Sequence, residues 1–132
     1  MPSCELRSKP SSEPGRIGDF LIDRFRLETL SKTMLVHNVF FWLRPELSET
    51  QIAEFRSGLE SLQSIEAAEA VYIGTPAAVA DRPVLETSYS FCLTVLLSDV
   101  GAHDAYQADP VHQNFIARFK GSWEKVQVYD AD

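Results

Sequence analysis

The sequence predicts one α+β domain over residues 34–132, its elements running strand, helix, strand, strand, helix, strand. Two observations predict it. Apolar residues recur at period two in some segments and near period 3.6 in others, and a cap, Pro or Gly stands at most of the switches. A third bears on assembly: the first strand is apolar on both faces, so both faces of its sheet need a cover.

Leu35–Leu43 (LVHNVFFWL) is β-branched and aromatic, and Arg44-Pro45 ends it. Leu35, Val39, Phe41 and Leu43 share one face; Val36, Phe40 and Trp42 share the other. Ser48 and Gln51 have the spacing of a capping box, and Leu47 with Ile52 that of a hydrophobic staple. Ile52, Phe55, Leu59 and Leu62 then form a single helical stripe, with Glu49, Glu54 and Glu60 directed elsewhere. A short strand follows near 69–75 and stops at Thr75-Pro76; residues 76–86 read as a loop. Thr87–Ser98 alternates, placing Tyr89, Phe91, Leu93, Val95 and Leu97 on one face. Helical signals over 99–108 break at Asp109-Pro110, an N-cap and first helical residue for a second segment. Val111, His112, Phe115, Ile116 and Phe119 give that segment an inner face, and Gly121 has the chemistry of its C-cap. Trp123–Tyr129 is the last strand, with Val126 and Val128 on one side.

This order is the split βαβ, ferredoxin-like arrangement. Helices on one face of its four strands leave Phe40, Trp42 and Tyr72 on the other. A second copy using the same patch is the simplest cover, so a homodimer through the sheet face is expected.

Residues 1–16 are rich in Pro, Ser and charge and read as disordered. Over 17–33, Ile17, Phe20, Leu21, Phe25 and Leu27 fit a short amphipathic helix at 17–32. The alternative is a disordered leader, with Met34 directly ahead of the first strand. Residues 1–33 are thus an N-terminal extension to the domain at 34–132.

The 132-residue chain is 45% apolar, enough for a core, and carries a formal charge of −7. Residues 34–132 hold six Lys/Arg against fourteen Asp/Glu. That balance repels phosphate backbones and argues against a nucleic-acid partner. Cys4 and Cys92 form no CxxC pair, disulfide framework or metal spacing, which fits a reducing cytoplasm. No run approaches the ~20 apolar residues of a membrane span, and no uninterrupted apolar centre marks a signal peptide. The scattered glycines make no phosphate loop, and no zinc-ligand spacing occurs, so no metal is expected.

Three segments resemble the stress-responsive dimeric A/B barrel (Dabb) family: MLVHNVFFWL at 34–43, DAYQADPVHQNF at 104–115 and SWEKVQVYD at 122–130. The second is the most specific, similar to a D-x-Y-x-x-x-P-x-H-x-x-F signature. The resemblance implies a ferredoxin-like protomer whose sheet joins a partner's into a dimeric α+β barrel. By way of a plant polyketide cyclase of that family, it also implies cofactor-free aldol chemistry. The Tyr and His of that enzyme fall on Tyr106 and His112, a second pocket His on His37, and aromatic pocket neighbours on Phe115 and Trp123.

The residue types suit that chemistry. A His with pKa near ~6.5 removes an acidic C–H proton at neutral pH, and a phenol stabilises the oxyanion that develops. His37, Val39 and Phe41 from the first strand, with Phe55, complete a candidate apolar pocket. The alternative is structural: a buried Tyr and His satisfying one another at a helix break. His103 reads as a solvent-facing residue. Ile116 stands where the cyclase has Gly, and Arg56 and Glu60 where it has apolar residues, so a long-chain tetraketide fits poorly. The function expected is binding of a small hydrophobic molecule. Alternatives are a cyclase-like lyase using Tyr106 and His112, and a non-catalytic stress-linked oligomer.

Overall fold

The structure is a computed structural model and describes residues 34–132. The readings made for residues 1–33 lie outside the described residues. Burial alternates along β1 (Leu35–Leu43), so its odd-numbered residues up to Phe41 are buried against helices and its even-numbered ones are only partly covered. Around it stand α1 (Glu49–Ser61, continued by a 3-10 turn at Leu62–Ser64), β2 (Ala70–Gly74), β3 (Phe91–Leu97), α2 (Val100–Ala108), α3 (Pro110–Phe119) and β4 (Trp123–Ala131). The sheet order is β2-β3-β1-β4, every neighbouring pair antiparallel. This is the ferredoxin-like βαββαβ fold, its second helical unit divided in two. Among the described residues, no helix is long and apolar enough to cross a membrane.

Local chemistry sets the helix boundaries. Ser48 and Gln51 form the reciprocal capping box: Gln51 N–H donates to Ser48 Oγ at 3.1 Å, and Ser48 N–H donates to Gln51 Oε1 at 2.8 Å. Asp99 caps α2 by accepting from Ala102 N–H at 2.8 Å, and Asp109 caps α3 by accepting from Val111 N–H at 2.8 Å. Pro110 begins α3, where its missing N–H leaves no hydrogen bond unmade. The cap that ends α3 is Lys120 in right-handed backbone rather than Gly121. Gly121 instead offers its carbonyl to Arg44 Nε at 2.9 Å.

The core lies between sheet and helices. Phe55, Leu59 and Leu62 from the α1 stripe are fully buried beside Phe41, Phe91, Phe115 and Phe119, while Ile52 stays near the surface. Each fully buried side chain of this size contributes about 1.5–3 kcal/mol. Arg56 pairs with Glu60 at 3.6 Å on the solvent side of α1, its guanidinium over the Phe91 ring.

The other sheet face is open and aromatic. Phe40 packs edge-on against Tyr89 and Tyr129, with ring centroids 5.0 and 6.2 Å apart, and Tyr72 and Tyr129 are largely exposed. Tyr89 belongs to this face, not to the Phe91 face that alternation predicts. The ladder ends at Phe91, its last paired residue. Ser90 N–H donates to the Phe41 carbonyl, but Ser90 Oγ, not a carbonyl, accepts from Leu43 N–H. Beyond that point period two has no ladder to enforce it, and Tyr89 follows Phe40 and Trp42.

Candidate functional site

A cavity of about 170 Å³ opens between the sheet and the second helical unit. β1 supplies His37, Val39 and Phe41 to its wall, and β4 supplies Val126, Val128 and Trp123. α3 closes it with His112, Phe115 and Ile116, and Gln107 stands at the end of α2. The wall is apolar apart from two imidazoles and one amide. Five of the residues expected to bind a ligand therefore line one space: His37, Val39, Phe41, Phe115 and Trp123. Phe55 does not. Its ring is fully buried one layer deeper, 5.2 Å from the Phe41 centroid and 5.6 Å from the Phe115 centroid.

Tyr106 and His112 lie on either side of the Asp109-Pro110 break. The extended backbone of Asp109 ends α2 and starts α3 in a new direction, and Gln113 Nε2 ties the two helices by donating to the Gln107 carbonyl at 2.7 Å. The two rings meet with centroids 4.9 Å apart. Tyr106 is fully buried behind the cavity wall rather than on it. Its hydroxyl and His112 Nδ1 have no hydrogen-bond partner, so the pair does not satisfy itself. Burial pushes the Tyr106 phenol well above its ordinary pKa of 10.0. Burial, and next the neighbouring His37, hold His112 below its ordinary 6.5, against the opposite pull of the Gln107 carbonyl and Asp109.

His37 has a second set of neighbours. It pairs across the β1–β4 ladder with Asp130, and its Nδ1 lies 2.5 Å from Asp130 Oδ1. His103, from the first turn of α2, brings its ring to 5.2 Å from the His37 ring and its Nε2 to 3.6 Å from Asp130 Oδ2. Its side chain is only 21% exposed, so it does not face solvent as the surrounding polar sequence suggests.

Residues 35–132 match the family described as Stress Responsive A/B Barrel Domain. The chain belongs to that family. No curated protein matches this Dabb chain, but solved structures of the same fold do. A hypothetical Arabidopsis thaliana protein is 25% identical, covering 76% of this chain and 88% of that one, with a TM-score of 0.63. A dimeric ferredoxin-like protein of unknown function from Jannaschia sp. CCS1 is 23% identical, covering 76% and 99%, with a TM-score of 0.61. The hydroxynitrile lyase of Passiflora edulis is 20% identical, covering 76% and 93%, with a TM-score of 0.63.

Within this Dabb domain, sequence reasoning missed Asp130 and misjudged His103. Asp130 closes the SWEKVQVYD segment, and the only signal available was strand pairing. Counting alternate residues back from it places Val128 and Val126 on the same face, so a carboxylate at the end of an apolar row was the signal that could have found it.

Proposed function

We propose that this Dabb domain binds a small, single-ring hydrophobic molecule carrying one hydrogen-bonding group. The cavity carries the reading. Its volume of about 170 Å³ is close to the ~150 Å³ of an engineered apolar cavity that takes up benzene. Its apolar walls supply the burial, and His37, His112 and Gln107 supply polar atoms that fix orientation. Ile116 sits in the wall and limits length, which disfavours an extended polyketide.

The test is ligand-observed NMR with toluene, phenol and benzaldehyde against wild type and Ile116→Trp, which fills the cavity. Saturation transfer to at least one probe, lost in a folded Ile116→Trp, is the expected result. Binding to none of the three, or binding that survives the filled cavity, would refute the reading.

Catalysis is the second reading, favoured by the unpartnered Tyr106 hydroxyl and His112 Nδ1. A donor and a base left without partners in a buried site suit a cofactor-free lyase or cyclase step on a small carbonyl compound. The hydroxynitrile lyase among the neighbours shows that this fold can host an enzyme. Any turnover found should fall at least about 100-fold in both Tyr106→Phe and His112→Ala, the usual scale of acid–base assistance. The open aromatic sheet face supports a homodimer, in keeping with a dimeric neighbour.

A further inference from the structure

We infer that His37, His103 and Asp130 form a binding site for one divalent transition-metal ion of the zinc class, at the edge of the cavity. Each residue offers one ligand atom, and the three atoms lie within 4.8 Å of one another. A zinc-class ion bonds nitrogen at about 2.0–2.1 Å and carboxylate oxygen at about 2.0–2.2 Å in a tetrahedral shell, so its ligand atoms stand about 3.4 Å apart. Side-chain rotations that draw the three atoms together close that shell. Two imidazoles and a carboxylate suit zinc, cobalt, nickel or ferrous iron, whereas calcium and magnesium favour all-oxygen sites.

The surroundings also suit an ion. His103 Nδ1 lies 3.4 Å from Asp104 Oδ1. In the tautomer that donates that N–H to the carboxylate, Nε2 is left as a lone pair, the outer arrangement typical of metal-bound histidine. The lone pair then faces Asp130 Oδ2 at 3.6 Å, in a position where Nε2 is buried and has no hydrogen-bond partner. Two acceptors turned toward each other repel, and a cation between them removes the repulsion. Binding displaces the proton shared by His37 Nδ1 and Asp130 Oδ1, which leaves to solvent.

Placement also supports the site. His37 and Asp130 are fixed opposite each other on two hydrogen-bonded strands, and His103 comes from a helix packed on the same face, so the donors ride on rigid elements. Fourteen carboxylates against six basic side chains over residues 34–132 favour a cation. Three protein ligands leave at least one coordination position open, as in catalytic rather than structural zinc sites. Because His37 is also part of the cavity wall, the open position lies close to whatever the cavity holds. The ion site itself does not depend on the cavity reading.

The experiment is titration of chelator-treated full-length protein with Co²⁺ alone, read by visible absorption, followed by Zn²⁺ competition. A saturating d–d spectrum at one ion per chain, displaced by Zn²⁺, is expected. Affinity should fall at least about tenfold in His103→Gln and in Asp130→Asn, with folding checked by circular dichroism. The Cys4→Ser/Cys92→Ser double variant should keep the wild-type spectrum. A featureless titration, a signal unchanged in His103→Gln, or one lost with the cysteines would overturn the proposal.

Discussion

Asp130 stands opposite His37 in the β1–β4 register and holds its Nδ1 at 2.5 Å, so the end of the last strand orients an imidazole that lines the cavity. The His37 side chain is 6% exposed and that of Asp130 40% exposed. Water reaches the carboxylate but hardly the ring. Asp130→Ala should therefore leave His37 Nδ1 poorly satisfied and cost about 1 kcal/mol, the low end for an unpaired buried polar group. Urea denaturation checks this. A midpoint equal to that of wild type would show that the pair contributes nothing to stability.

The buried His112 should make the domain acid-sensitive. Its folded pKa lies below the ordinary 6.5, so between the two values the unfolded chain binds more protons and stability rises with pH. The contribution is complete above about pH 6.5 and is lost as the pH falls through the window beneath it. Urea midpoints at pH 7.5 and pH 5.5 should therefore drop more steeply for wild type than for His112→Gln. Equal drops would assign the acid sensitivity to other groups.

The fold was legible because its boundaries are local. The Ser48–Gln51 box, the Asp109-Pro110 break and the period-two rows of β1 and β3 act over a few residues, and the structure keeps each. Tyr89 was misplaced because period two holds only where a ladder enforces it, and here the Ser90 side chain ends the ladder. In the site, Tyr106 and His112 are six residues apart and could be paired by eye. His37, His103 and Asp130 are joined only by strand register and helix packing, neither of which leaves a spacing in the sequence. Phe55 was assigned to the pocket because helical periodicity shows which face is buried but not how many layers lie between that face and a cavity.

Gly58 on α1 faces the Phe119 ring of α3. A Cβ built there would lie 2.3 Å from Phe119 Cε2. The Phe119 ring is itself buried and packs against Phe55 and Phe115, so it has little room to yield. On an exposed helix face Gly→Ala would stabilise by about 0.8–1 kcal/mol; here overpacking should reverse the sign, for a net loss of about 1–2 kcal/mol. Thermal or urea unfolding of Gly58→Ala decides it. A stabilised variant would mean that the two helices separate more easily than the contact implies.

The open sheet face gives the test of assembly. Tyr72 and Tyr129 are 62% and 59% exposed, so a monomer should tolerate charge at either position. In a symmetric dimer that covers this face, each tyrosine would be buried in both copies, and a carboxylate there would be desolvated without a partner. Wild type should therefore be a dimer by native mass spectrometry at micromolar concentration. The Tyr72→Glu/Tyr129→Glu double variant should be a monomer with an unchanged circular dichroism spectrum. Two outcomes count against the sheet-face dimer: a wild type that is already monomeric, or a double variant that stays dimeric. The second would move the interface to the helical side, where the cavity opens.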